Sequence, residues 1–236
     1  MIINEKHHFT HVPIDLGYSP LEQVTTDAYR YYVTPEGKRY PSITTCISES
    51  KKEGLDAWRE RVGEEEAKKI STKASGRGTL VHETIEDFIA NKNIRKSNPL
   101  VQSNFLQVKP VIQENLSNIH IIESQLYSDL LGCAGTADCI GYWDGVCSII
   151  DWKTSVKEKK PEFVEGYFMQ GAFYSMALQE KTGIVAEQIV IVISVDELPQ
   201  PQIFIQDRKP WAQKTIDVIK SYVETYPDRF DKGKII

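Results

Sequence analysis

No stretch of this chain approaches the eighteen consecutive apolar residues that a membrane-spanning helix requires, so no transmembrane segment is expected. Cysteine is scarce as well, with Cys46, Cys133, Cys139 and Cys147 the only four in 236 residues. They form no C-x-x-C pair and have no close histidine, which argues against zinc or iron–sulfur ligation. Buried free thiols in a reducing compartment are the expectation. Positive charge is in short supply: 28 Lys and Arg face 33 Asp and Glu, a net charge of −5. In its simplest reading that balance counts against a nucleic-acid partner. It does not decide the matter, because carboxylates gathered at a metal site bring in cations that invert the local potential. The runs Lys51-Lys52, Lys68-Lys69 and VKEKK at 156–160 are interspersed with glutamate. Each reads first as a solvated helix face and second as the lining of a groove. The opening residues carry acidic groups and no apolar signal core, and no arginine precedes Arg30. Neither a secretory signal nor a transit sequence is expected, and a soluble, cytoplasmic protein is predicted.

What remains is ordinary globular composition, 41% apolar and 26% charged, at a length that suits one α/β core. There is no repeat, low-complexity tract or linker, so residues 1–236 are read as one domain. Residues 29–47 look like a hairpin around Pro35–Lys38 that enters a short helix capped by Ser42 or Thr44. Helical periodicity runs from about 54 to 90, with a break expected at SGRG (75–78) and Thr79 as a new cap. Val81, Ile85, Phe88 and Ile89 form the buried stripe of the second piece. A third helix covers 98–117. Strands follow at 120–128, 131–143 and 146–154, the last two joined by the strong Asp144-Gly145 turn. A helix at 161–182, a buried strand at 189–195, an edge strand at 202–206 and a helix at 210–225 complete the chain. The order predicts an α/β fold, a mixed central sheet flanked by helices, with a helical lobe at about 43–117 and a sheet core at about 118–236.

The sharpest signal is GTADCIGYWDGVCSIIDWKTS, from Gly135 to Ser155. Side chains alternate along a strand, so Asp151 and Lys153 share a face while Trp152 looks the other way. Asp138 lies one hairpin upstream among apolar neighbours, where a carboxylate needs a cation or a donor. Two carboxylates on neighbouring strands with a lysine beside them suit a hard divalent cation and metal-assisted phosphodiester hydrolysis. A lone D-x-K triplet would read as a simple salt bridge; the context changes that. Glu123, mid-strand between apolar residues, reads equally as a further ligand or as a solvent-facing group. His82 reads alone as a packed or exposed helix residue, and with the carboxylates as a nitrogen ligand. Glu86 lies one turn on, on the same face. Gln170 and Tyr174 are four apart on one helix face, and both polar groups are expected to be free for a substrate.

Taken together, His82, Glu123, the G-T-A-D ending at Asp138, D-W-K-T-S at 151–155 and Q-x-x-x-Y at 170–174 resemble the PD-(D/E)XK superfamily. More narrowly they resemble its RecB-like exonucleases, and within these the mitochondrial genome maintenance exonucleases and their phage and bacterial relatives. Y-P-S-I-T at 40–44 and G-R-G-T-L-V-H at 76–82 fit the same group, and the resemblance spans about residues 40–180. Ala137 stands where the superfamily's motif has proline. The resemblance implies a restriction-endonuclease-like core with the helical lobe over the site. It implies one or two Mg2+ or Mn2+ ions held by His82, Asp138, Asp151 and the Trp152 carbonyl, with Lys153 acting on the attacking water. It further implies DNA, chiefly a single strand with a free end, as the substrate in replication, recombination or repair. Arg77, Thr154, Ser155, Gln170 and Tyr174 are the candidate DNA contacts, and Trp58 or Tyr167 candidate stacking platforms. An endonuclease of the same fold and a non-catalytic DNA-binding module are the alternative readings.

Overall fold

The computed structural model describes residues 8–27 and 29–235. A small antiparallel sheet comes first: β1 (Glu22–Thr25), β2 (Arg30–Val33) and β3 (Arg39–Pro41). Four helices follow: α1 (Ile43–Ser50), α2 (Lys52–Val62), α3 (Glu64–Ile89) and α4 (Pro99–Asn115). The main sheet then runs β4 (Leu116–Ser128), β5 (Cys133–Trp143), β6 (Val146–Ser155), β7 (Gln188–Val195) and β8 (Gln202–Asp207), in that spatial order. Helix α5 (Glu165–Thr182) crosses between β6 and β7, which therefore pair parallel, while the other neighbours pair antiparallel. Helix α6 (Lys209–Thr225) closes the chain. This is a mixed α/β fold, a five-stranded sheet flanked by helices.

Two apolar layers hold the helices to the sheet. On one face, Ile140, Ile149, Ile189 and Ile191 pack with α1, α5 and α6 through Ile43, Phe168, Phe173 and Ile219. On the other, Cys139, Ile150, Trp152 and Val192 pack with α3 and α4 through Val81, Ile85, Ile89, Val108 and Ile112. Period-two alternation along β6 assigns its residues to the two layers, with Ile149 on one side and Ile150 and Trp152 on the other. The stripe Val81, Ile85, Phe88 and Ile89 is buried as its spacing predicts. Helix α4 begins where Asn98-Pro99 places it, the Asn98 side chain accepting from the Val101 N–H at 3.0 Å.

The feature that matters most for the site is where β5 and β6 part. They pair from the turn only as far as Cys139↔Ile150. Beyond that point β5 continues with β4 to Ser128↔Cys133, and β6 continues with β7 to Ser155↔Val195. The sheet is therefore split, and Asp138 and Asp151 are the first residues past the split on its two sides. On the β4–β5 side the alternation also slips: Ala137 and Ile140, three apart, lie in the same apolar layer. Glu123, between the pairs Ile122↔Cys139 and Ser124↔Ala137, has φ +43, a left-handed conformation rare for a side-chain-bearing residue.

Two expectations fail in α3. The helix is continuous from Glu64 to Ile89, with no break at SGRG, and the break falls at Gly63 (φ +88) instead. Thr79 is not a cap; its hydroxyl donates to the Ser75 carbonyl within the helix at 3.1 Å. The glycines stay helical because nothing opposes it: a Cβ built on Gly76 meets nothing within 4 Å. In a helix interior glycine costs about 1 kcal/mol relative to alanine. Gly76→Ala is thus expected to raise the melting temperature by about 2–4 °C in differential scanning calorimetry. An unchanged or lowered midpoint would show that α3 is not a continuous helix there.

Candidate functional site

The split leaves the Trp152 N–H without a β5 carbonyl, and the Asp138 carboxylate takes that place, accepting the N–H at 2.9 Å. A side chain thereby stands in for a ladder bond and fixes its own position. His82, from α3, brings Nδ1 to 3.5 Å from the same Asp138 oxygen. Glu123, from β4, completes a group of three: one donor atom from each of His82, Glu123 and Asp138 lies within 4.8 Å of the other two. Three elements that approach from different directions contribute one donor each.

Asp151 and Lys153 occupy the other lip. They share a face as alternation requires, and the Lys153 ammonium contacts Asp151 Oδ2. Neither Asp151 oxygen accepts a hydrogen bond of good geometry, although the residue is 1% exposed. An ionised carboxylate buried with one crowded ammonium and no directed donor is costly. This is the orphaned acceptor that a cation would satisfy. Trp152 looks away, its ring 6.4 Å from that of Trp143 in the opposite layer.

The electrostatics follow from the crowding. Burial raises the Asp151 carboxyl, and Asp138 adds to the rise while Lys153 opposes it. Glu123, at the exposed rim, is pushed up to about 7 by partial desolvation and then by the charges of Asp138 and Glu86. Burial lowers His82; Asp138 resists and Lys153 assists, which leaves the imidazole neutral and able to donate a lone pair. For Lys153 burial works against the charge, but Asp151 and Asp138 outweigh it and hold the ammonium above its ordinary value. Its Nζ also lies 5.2 Å from the centroid of the Tyr167 ring. The donor set, one neutral imidazole with carboxylate oxygens, could hold a divalent cation.

The remaining candidates divide. Thr154 is half-buried, its Oγ1 4.0 Å from where a Cβ on Gly78 would stand. Ser155 is buried and its hydroxyl donates to the Lys157 carbonyl at 2.6 Å. Arg77 is not free for phosphate: its guanidinium pairs with Asp196 at 2.5 Å, and Asn104 donates to the other Asp196 oxygen at 3.1 Å. That pairing ties α3 to the end of β7. Tyr174 does not point at a substrate, contrary to expectation. It is 1% exposed, and a Cβ on Gly135 would stand 3.0 Å from its hydroxyl. The hydroxyl accepts from Gln170 Nε2 at 3.0 Å, so Tyr174 positions Gln170, which lines a cleft beside Tyr167. Trp58 is half-buried on α2. Glu123, read from the sequence either as a further ligand or as a solvent-facing group, stands with His82 and Asp138 in the group of three, and Asp151 lies outside it. The left-handed backbone at Glu123 leaves no mark in a pattern of residue types. Lys51, from a charged pair read second as the lining of a groove, borders the same cleft as Gln170.

With the geometry in place, comparison with known proteins gives a distant relationship. No family model matches the chain. Among curated proteins it is similar to human (Homo sapiens) mitochondrial genome maintenance exonuclease 1, 25% identical over 155 residues, 60% of this chain and 44% of that protein. The mouse (Mus musculus) protein of the same name is 24% identical over 128 residues, 50% of this chain and 38% of its own length. The matched region thus spans less than half the length of each. The solved structure of SSO0001 overlaps 64% of this chain and 86% of its own at 14% identity, with a TM-score of 0.38.

The carboxylate crowding has a measurable consequence. Glu123 takes up its proton more readily folded than unfolded, where a glutamate titrates near 4.5. Its effect on stability is therefore neutral below about 4.5 and turns unfavourable as pH rises towards 7. The metal-free protein is expected to lose melting temperature between pH 5 and 7.5. Mn2+ or Mg2+ at a hundredfold excess over its dissociation constant should return about 2.7 kcal/mol, or 5–10 °C, at pH 7.5 and clearly less at pH 5. A cation-independent midpoint at pH 7.5 would contradict the donor set.

Proposed function

We propose that this chain is a divalent-metal-dependent deoxyribonuclease on a restriction-endonuclease-like core, cutting single-stranded DNA from a free end. The observation that carries the reading is the meeting of His82, Glu123 and Asp138 within 4.8 Å at a split in the sheet, with the Lys153–Asp151 pair on the opposite lip. The distant similarity to proteins named as exonucleases supports it. A bound Mg2+ or Mn2+ at these donors would acidify a water and neutralise charge on the phosphoryl oxygen and leaving group.

The protein's own residues do the rest. His82, Glu123 and Asp138 supply the donors at one lip, and Asp151 supplies its orphaned oxygens at the other. Asp138 is held by the Trp152 N–H, so the donor set is preorganised rather than assembled on binding. Lys153 keeps its proton in the metal-free protein, because two carboxylates outweigh its burial. Beside Asp151 its ammonium is placed to orient the attacking water and to offset the phosphate charge. An endonuclease of the same fold differs in requiring no free end.

Cleavage of a labelled single-stranded oligonucleotide in Mg2+ tests the reading, with EDTA abolishing it. Asp151→Asn and Lys153→Ala are each expected to lower the rate by on the order of 10³-fold while the protein still melts cooperatively. Full activity in either variant would end the proposal. A circular single strand is expected to survive an incubation that degrades its linear form; cutting of the circle would make the protein an endonuclease.

A further inference from the structure

Helices α1, α2 and α5 border a cleft of about 400 Å3 that shares Tyr167 with the site. That volume lies in the range of small-ligand pockets and accommodates a nucleotide. Its lining offers three kinds of contact. Ile47 and Leu55 are apolar, Tyr167 presents a ring, and Ser48, Lys51 and Gln170 are polar. Gln170 is held from behind by Tyr174, which fixes its amide where it borders the cleft.

Lys51, in the joint between α1 and α2, is the group that asks for a partner. Its neighbour Lys52 pairs with Glu49 at 3.1 Å, but among the described residues no carboxylate lies within ion-pair distance of Lys51. The ammonium is seated at the start of α5 by the absence of a side chain at Gly166. A methyl there would stand 2.7 Å from Lys51 Nζ and 3.1 Å from Ile47 Cγ2. The end of α5 on which it rests has no side-chain cap. A cation placed on the positive end of a helix is a like-charge arrangement that an anion relieves.

We propose that this cleft is a nucleotide subsite in which Lys51 binds the backbone phosphate next to the scissile one. The base of that nucleotide lies against Tyr167, Leu55 and Ile47, with the Gln170 amide at its edge. Stacking of this kind tolerates any base, so the subsite selects an unpaired strand rather than a sequence. The inference rests on the nuclease reading above and extends it to residues outside the metal donors.

The test uses a fluorescent single-stranded oligonucleotide with the full-length protein, its binding followed by anisotropy in Ca2+ over a range of salt, and its cleavage by initial rates in Mg2+. Lys51→Met should weaken binding roughly tenfold at low salt and flatten the salt slope by about 0.7, the signature of one lost phosphate contact on a single strand. KM should rise and kcat hold. Lys51→Arg should retain affinity, and Gly166→Ala, which displaces the ammonium, should reproduce the loss. Lys52→Met serves as the surface-charge control and should stay close to wild type. Unchanged affinity, slope and KM in Lys51→Met would overturn the subsite, as would an equal loss in Lys52→Met. If the wild type cleaves and Lys51→Met matches it, the subsite alone falls; if the wild type neither binds nor cleaves, the nuclease reading falls with it. Lys51 is exposed, so its variants are expected to melt with the wild type and keep the comparison clean even if Gly166→Ala misfolds.

Discussion

The bond from the Trp152 N–H to Asp138 Oδ2 is the constraint on which the rest of this structure depends. Main-chain donors inside a sheet cannot be left unpaired, since each would forfeit a hydrogen bond with no water to replace it. Where β5 and β6 separate, something must take that N–H, and a carboxylate does so from the neighbouring strand. The exchange lets the sheet open without an orphaned amide. It also commits an aspartate to the mouth of the opening, where His82 and Glu123 reach it from a helix and an adjoining strand.

A carboxylate so committed raises the electrostatic stakes for its neighbours. Asp151 is buried with its oxygens poorly satisfied, Glu123 is pushed towards neutrality, and Lys153 is held in its charged form. None of this favours stability. A core of apolar residues of the same size would be as stable or more so. An arrangement of this kind makes physical sense as a seat for a cation, and the strained backbone at Glu123 fits the same reading. The two helix layers then have distinct tasks. Helix α3 delivers the imidazole and is tied down through Arg77 to Asp196, while α5 frames Lys153 with Tyr167 and borders the cleft through Gln170.

Much of this was legible in the residues. The Asp144-Gly145 turn, the alternation through SIIDWKT and the apolar stripe 81, 85, 88 and 89 are local signals, and local physics sets them. Asp151 and Lys153 share a face because alternation leaves no other choice. The failures have a common cause, which is that they depend on what lies across the fold. Gly76 and Gly78 read as a break, yet helix propensity alone does not end a helix whose far half is anchored by Ile85 and Ile89. Tyr174 reads as a free polar group, but the hollow left by Gly135 buries it. Arg77 reads as a phosphate contact until Asp196 arrives from the end of β7, more than a hundred residues away. The run at 22–25 carries no strand signal of its own; its pairing with β2 makes it a strand.

The account stands or falls on the donors at the split. Crystals soaked in Mn2+ and measured at the manganese absorption edge test it most directly. The expected result is an anomalous peak bonded to His82, Glu123 and Asp138, with Asp151 close enough to ligate the same ion or a second one. An empty split, with manganese bound only on the outer surface, would contradict it.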